Sequence, residues 1–597
     1  MTEMKLFKGG EFLIVDALPE EVFTPEDFTQ DQRLIAKSAE EFGLKELEPR
    51  REELEELNPD LVRELLKKSG ELGFLGADVP EIYGGSELDK VSSALITEYI
   101  SRGVSGFFVA YGVQTGIGSL PIVFFGTPEQ KKKYLPGLAS GEIVGAYALT
   151  EPGHGSDALS AETTAVLSAD GKFYIINGQK QFISNAGFAD LFLTYAQVDG
   201  KQFTSFIVER KWDGVSVDEE EKKMGVHGSS TRSVIFQDVK VPVENVLGEV
   251  GRGHVVALNT LNVGRYKLGA GALGGCKLLI QEGVKYAKNR VQFGKPICEF
   301  GLIKHKIAEM AIRTYATESM VYRTAGLLDL ALEGIDPSSE EAGKKTGEAL
   351  RKYALECSVN KVFGSEVLDY VADECVQIMG GYGYIQGNPV ETAYRDSRIN
   401  RIWEGTNEIN RLLIVDMLMR SALKGEIPLL EEIKKVAGEV ISLRPDFGEE
   451  EGLLDREKKM VTMAKKIALL AAGAAAQKHM ERLASEQEIV ALIADMIIAV
   501  FSMESVLLRT QKKVRRDGEE NSRIHIAASR TFINDTFPGL DIMARRIFSA
   551  IAEGEELRTR LMALRKLARY TPVDTISLRR EIADSIIPVA RYHLTKI

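Results

Sequence analysis

DGKFYIINGQKQFISNAGFADLFLTYAQVDG (170–200) carries three pairs made for tight turns: Asp170-Gly171, Asn177-Gly178 and Asp199-Gly200. Tight hairpin turns call for positive φ at one or both central residues, which Asn-Gly and Asp-Gly supply cheaply. Between and after the pairs run FYIIN (173–177), LFLTYAQV (191–198), FTSFIV (203–208) and SVIFQDVKV (233–241), rich in β-branched and aromatic residues. This predicts an all-β unit over residues 146–250. The flanks read as helix. In residues 31–145, Ile35, Ala39 and Phe42 form one apolar stripe and Leu61, Leu65 and Leu66 begin another. Helical periodicity returns over 251–420 and again over 421–597, where Leu469, Leu470 and Ala472 form a stripe. Residues 1–30 read as an extended leader lying on the surface. The fold class is α+β and multidomain.

The chain has 597 residues, 44% hydrophobic and 27% charged, enough for three or four units with cores of their own. Its net charge of -12, with no basic stripe, argues against a nucleic-acid binder. Cys276, Cys298, Cys357 and Cys375 are widely spaced, which predicts neither a disulfide framework nor a zinc site. The opening residues lack the pattern of a secretory or transit peptide, and the apolar runs 467–476 and 492–501 are short for a span. The expectation is a cytoplasmic protein without a transmembrane segment.

Several motifs compete for the chemistry. GAGALG (269–274) matches G-x-G-x-x-G, but no strand precedes it, so close helix packing is the better reading. Seven histidines show no H-E-x-x-H, and no metal site is predicted. TEPGHGSD (150–157) either brings backbone N–H groups to an anion or a polar heteroring, or is a solvated connector. NRVQFGKP (289–296) sets Arg290 where it can clamp a phosphate or favour a helix dipole. QIMGGYGY (377–384) is a glycine-rich bend after a helix. RIWEGTNEINR (401–411) places Glu404 between Trp403 and Gly405, just ahead of a helix start.

The order of the motifs adds more than any one of them. YALTEPGHGSD (147–157), INGQKQFISNAG (176–187), KMGVHGSSTRSVIFQDVKVP (223–242), NRVQFGKP, VQIMGGYGY and WEGTNEINR resemble the acyl-CoA dehydrogenase flavoproteins over residues ~30 to 420. GTPEQKKKYLPGLASGE (126–142) belongs to the same pattern. The extension, NVLGEVGRG (245–253) and EFGLIKHK (299–306) are most similar to the very-long-chain branch. The resemblance implies an N-terminal helical domain, a middle β-barrel domain, a C-terminal helical bundle and an extra helical domain.

It also implies FAD as cofactor. Tyr147, Leu149 and Thr150 match positions at the flavin ring, and Gly155 and Ser156 lie near the pyrophosphate and the thioester. Phe182 matches the residue that covers the ring and Ser184 the hydroxyl donor, where other members often carry Trp and Thr. Arg290, Phe293, Gln377 and Gly381 match contacts to the adenylate end of FAD on a neighbouring subunit. Some members have His-Gln where this chain has Phe300-Gly301. Thr406 and Glu408 match further cofactor positions. Glu404 matches the general base, with Gly405 letting the chain pass close to the ligand. Asn262 and Arg265 match the substrate path. Other relatives carry the base just before that arginine, where this chain has Gly264. The implied activity is oxidation of acyl-CoA, long-chain by the extension and by small Gly112 and Val113 at the cavity floor. Electrons would pass to an electron-transfer flavoprotein, and a homodimer is expected over a tetramer. An acyl-CoA oxidase and a non-catalytic scaffold on the same fold remain as alternatives.

Overall fold

Eight strands form one sheet in a computed structural model that describes residues 4–442 and 452–595. They are β1 (Gly145–Ala148), β2 (Thr164–Leu167), β3 (Phe173–Ser184), β4 (Leu191–Val198), β5 (Gln202–Glu209), β6 (Val215–Glu220), β7 (Thr231–Pro242) and β8 (Val246–Leu247). Their order is β6-β7-β3-β2-β4-β5-β8, with β1 parallel to β4. Two of the three predicted turns form. Gly171 (φ 69°) turns β2 into β3, and Asp199 (φ 51°) with Gly200 (φ 70°) turns β4 into β5.

Asn177-Gly178 does something else. It lies inside β3, at a register shift against β7, so the expected hairpin is a bulge in a twelve-residue strand. The Asn177 amide holds Asp238 across the ladder at 3.0 Å. A Cβ at Gly178 would stand 2.4 Å from the Thr163 hydroxyl, so glycine serves close approach here. The short or charged strands β1, β2, β6 and β8 carry no strong strand pattern in sequence.

The helices that place the site are α1 (Lys90–Ile100), α2 (Ser105–Thr115), α3 (Gly253–Asn289), α4 (Gly301–Leu332), α5 (Ala354–Met379) and α6 (Asn407–Leu423). The extension adds α7 (Asp455–His479), α8 (Gln487–Asp517) and α9 (Arg523–Ile551). GAGALG lies inside α3 and is a packing motif: a Cβ at Gly274 would fall 2.0 Å from the Glu98 carbonyl on α1. On α7 Leu469 is buried, whereas Leu470 and Ala472 are only partly so. The apolar run 492–501 lies in α8, a 31-residue helix long and apolar enough to cross a membrane, but 83% of that window is buried in the fold.

The leader is not a surface strap. Phe12 packs edge-on against Phe501 of α8 at 4.7 Å, and Phe28 against Tyr322 of α4 at 4.7 Å. The Gly10 N–H donates to Glu356 at 2.7 Å. Composition hid this, because aromatic anchors spaced through polar residues have no helical or strand period.

A buried ionic lattice joins these parts. Lys277 of α3 bridges Glu98 of α1 and Glu318 of α4. Arg509 of α8, fully buried, reaches Glu318 at 2.8 Å and Glu26 of the leader at 3.1 Å. Tyr592 and Thr595 donate to Glu318 as well. Removing one member of such a lattice leaves its partners charged in a dry interior, at a cost of roughly 3–5 kcal/mol. Arg509→Met is therefore expected to lower the unfolding midpoint markedly in a denaturant titration. Arg509→Met combined with Glu26→Gln and Glu318→Gln should recover much of the loss.

Candidate active site

Glu404 sits in the turn between a short 3-10 helix (Arg398–Arg401) and α6, with left-handed backbone at Glu404 (φ 57°) and Gly405 (φ 79°). A side chain rarely adopts that conformation unless its surroundings hold it there. Three residues do so through carbonyls. Arg265 of α3 donates to the Glu404 carbonyl at 3.2 Å. Asn410 of α6 donates to the carbonyls of Glu404, Gly405 and Thr406. Lys361 of α5 donates to the Gly405 carbonyl at 2.8 Å and to the Asn407 amide oxygen at 2.7 Å. The Thr406 hydroxyl caps α6 by accepting from the Ile409 N–H, while Glu408 is exposed one residue into the helix.

The turn leaves the carboxylate free. Glu404 is half-buried as a residue, but its Oε2 is closed from solvent and has no hydrogen-bond partner among the described residues. Room for it comes from Gly264 on α3: a Cβ there would stand 2.7 Å from Glu404 Oε2. Burial raises the Glu404 pKa to about 7, with Arg265 and Lys361 pulling it back by their charge. Asn262 and Arg265 are both buried and bonded to each other at 2.8 Å. Trp403, beside the carboxylate, closes a small apolar cluster with Val109, Val113 and Val226.

A second group of predicted residues lies together on the sheet. Tyr147 is buried edge-on against Tyr195. Leu149 and Thr150 follow β1, and the Gln181 N–H holds the Thr150 carbonyl at 2.8 Å. Gly155 and Ser156 are exposed in a loop whose root is fixed by Glu151, which accepts from Lys180 at 2.7 Å and from the Thr163 N–H at 3.0 Å. Lys180 also donates to the Leu149 carbonyl. A register shift in β3 between Lys180 and Ile183 turns Phe182 outward in left-handed backbone (φ 57°), 57% exposed, with Ser184 two residues on.

The third group stands apart. Phe293 is 96% exposed at the tip of a two-stranded hairpin, and Arg290, Gln377 and Gly381 are exposed nearby. Arg290 lies 5.8 Å over the Tyr382 ring, while Phe300 stacks edge-on against Phe293. Arg290 ends α3, about 39 Å along the helix from Gly264. One chain thus does not bring this group to Glu404. Sequence reasoning missed Lys361, Asn410 and the Lys180–Glu151 pair. The available signal was a lysine inside an otherwise uncharged stretch of helix, SVNKVFG (358–364).

A bare, desolvated carboxylate within electrostatic range of Tyr147, in a chain whose sheet also offers an exposed aromatic ring and hydroxyls, can take a proton from carbon beside a flat redox group. That is the plan of a flavin-dependent dehydrogenase. The chain belongs to the acyl-CoA dehydrogenase family: models of its N-terminal domain match residues 29–142, of its middle domain 146–239, and of two C-terminal domains 251–419 and 463–566. It is 51% identical, over 98% of both chains, to a probable acyl-CoA dehydrogenase of Bacillus subtilis. It is 37% identical to the very long-chain specific acyl-CoA dehydrogenase of Rattus norvegicus, covering 74% of this chain and 69% of the rat protein. The crystal structure of an acyl-CoA dehydrogenase complexed with FAD from Bacillus anthracis superposes with a TM-score of 0.96 at 50% identity, covering 98% of this chain and all of that one.

FAD is the cofactor, and the residues present fit it. Phe182 offers an uncovered ring face, Thr150 and Ser184 offer hydroxyls, and side chains added at Gly153 or Gly155 would meet nothing within 4 Å. The reaction is α,β-dehydrogenation of an acyl-CoA, for which bound FAD supplies the hydride acceptor. The chain's own task is to take the α-proton and to hold the thioester.

Two outcomes follow. Gly264→Ala would displace the Glu404 carboxylate by contact and is expected to slow anaerobic flavin reduction roughly 100-fold without unfolding the protein, read by stopped flow beside circular dichroism. A base with a pKa of about 7 is protonated below that pH, so the reduction rate in wild type should fall on the acid side of about pH 7 and level off above it.

Proposed function

We propose that the chain oxidises long-chain acyl-CoA to trans-2-enoyl-CoA in fatty acid β-oxidation, with Glu404 as the general base. The observation carrying this reading is the free carboxylate opposite Gly264, closed from solvent and able to accept a proton. The Glu404 N–H makes no protein hydrogen bond among the described residues, so it can donate to the thioester oxygen and stabilise the developing enolate. Arg265 and Asn262 line the approach. Phe182 and Ser184 would cover the flavin, and Tyr147, Leu149, Thr150, Gly155 and Ser156 would hold the rest of the FAD on this side. Thr406 and Glu408 add contacts at the α6 start.

Chain length is supported by space. A groove lined by Trp403, Val109, Phe108, Gly271, Ala272 and Gly275 lies along α3. It touches Trp403 but not Glu404 itself. A side chain at Gly112 would meet nothing within 4 Å, which adds room on α2. The distance along α3 supports a homodimer, since Arg290, Phe293, Gln377 and Gly381 are far from the Glu404 of their own chain and free to hold the adenylate of a partner's FAD. We assign an electron-transfer flavoprotein as acceptor and the cytoplasm as compartment.

The test is anaerobic bleaching of bound flavin across a series of acyl-CoA lengths. Palmitoyl-CoA should bleach it, and Glu404→Gln should be slower by roughly 10²–10⁴-fold. An unaffected Glu404→Gln variant would remove the base assignment, while rapid peroxide formation in air would mark an oxidase. Gly112→Leu should cut kcat/KM for palmitoyl-CoA roughly tenfold or more and spare a short acyl-CoA.

A further inference from the structure

Lys361 is buried deeper than its visible task requires. Its side chain is 0% exposed, and it sits on α5 beneath the catalytic turn, donating to the Gly405 carbonyl and the Asn407 amide. A neutral donor could tether both. Among the described residues Lys361 makes no contact ion pair, so its desolvated charge is not neutralised by a touching carboxylate. The charges that face it come from three other sources: Glu404 in the turn, Arg265 on α3 and Glu408 on α6, together with Glu366 on its own helix. Glu366 is itself taken up by Arg411, which also pairs with Asp495. Glu404 in turn faces Arg265, Lys361 and the Tyr147 phenol. Arg265 stays charged at any working pH, so Lys361 is the adjustable cation of the site.

We propose that Lys361 is a positioning residue for the reaction, tethering the Glu404 turn and, through its charge, holding the Glu404 carboxylate in the ionised form that accepts the α-proton. Both cations near Glu404 direct their N–H groups at backbone or amide oxygens and not at the carboxylate. A direct bond would stabilise the anion and occupy the lone pair that must take the proton. A cation set on the far side of the peptide favours ionisation and leaves the lone pairs open. Burial brings the Lys361 pKa down to about 7, the range in which Glu404 also titrates. The proposal rests on Glu404 as base.

The experiment compares Lys361→Met, Lys361→Gln and Lys361→Arg with wild type in the FAD-loaded enzyme, following anaerobic flavin reduction by palmitoyl-CoA against pH. An infrared difference titration of the Glu404 carboxyl band, assigned with Glu404→Gln, reads the same group without turnover. Without the cation, the acid limb and the carboxyl titration should both move to higher pH by about one unit or more, a roughly tenfold loss on the acid side. Lys361→Arg, charged at any working pH, should bring both back to the wild-type position or below it. Lys361→Gln can still donate to the turn, so it serves the comparison if Lys361→Met does not fold. Asn407→Leu, which loses a tether but no charge, should slow reduction at every pH and leave the limb in place. A uniform loss in Lys361→Gln with an unmoved limb would overturn the electrostatic role, as would a limb moved to lower pH in that variant. A Glu404→Gln variant that still reduces flavin rapidly would fail the base reading instead, whatever the Lys361 variants do.

Discussion

Glu404 sets a carboxylate where burial makes ionisation unfavourable. The free energy of burying Glu404 is what its neighbourhood has to offset. The solution seen here is indirect. Arg265, Asn410 and Lys361 hold the carbonyls of residues 404 to 406, which fixes a left-handed turn and lends positive potential without touching the acid. Gly264 supplies the vacancy the acid occupies. The Glu404 carboxylate stays unbonded because Arg265, Lys361 and Asn410 direct their hydrogen bonds at carbonyl and amide oxygens.

That turn is coupled to the sheet through Tyr147, whose phenol lies within range of the Glu404 charge. Thr150 and Phe182 belong to the β unit, Glu404 to the helical bundle, and no covalent constraint fixes their separation. The root of the loop after β1 is set by the buried Lys180–Glu151 pair. The bundle is set by a core that runs without a break from α3 to α9, so the extension shares the bundle's interior. Glu318 then collects Lys277, Arg509, Tyr592 and Thr595 around one buried carboxylate. Such a knot is weak evidence for stability by itself, but it admits only one arrangement of leader, bundle and extension. Geometry at Glu404 depends on that single arrangement.

The parts legible in sequence were those with local signals. Two Asp-Gly turns, the strands rich in β-branched residues and the helix break at Met379-Gly380 all follow from propensity. Asn177-Gly178 misled because the same pair suits a bulge, and only the partner strand, with Asp238 also at positive φ, decides between them. The leader misled because Phe12 and Phe28 find their partners hundreds of residues away or far along the chain. Within the site, Glu404 was visible through a motif in one short stretch. Lys361 was not, since its meaning arises from the loop it meets across 44 residues of sequence. Side chains that act on another residue's backbone leave no spacing to read.

α3 explains why one glycine-rich run resembled a dinucleotide fingerprint. Glycine inside a helix costs roughly 1 kcal/mol relative to alanine, so several in one helix demand a return. Each faces a different neighbour: Gly264 the Glu404 carboxylate, Gly271 the Phe108 ring, Gly274 the Glu98 carbonyl and Gly275 the Leu368 side chain. A helix buried on most sides has only a weak amphipathic period, so the sequence could not orient α3. The spacing of its glycines follows the neighbours' positions and not any ligand's phosphates. The same crowding makes α3 a stiff ruler. Its N-terminal half gives the Glu404 carboxylate its room, its middle walls the groove beyond Trp403, and its C-terminal end leads into Arg290 on another face of the molecule. A change of length or a bend in α3 would disturb all three together, so the glycines that cost helix stability keep three distant functions in register.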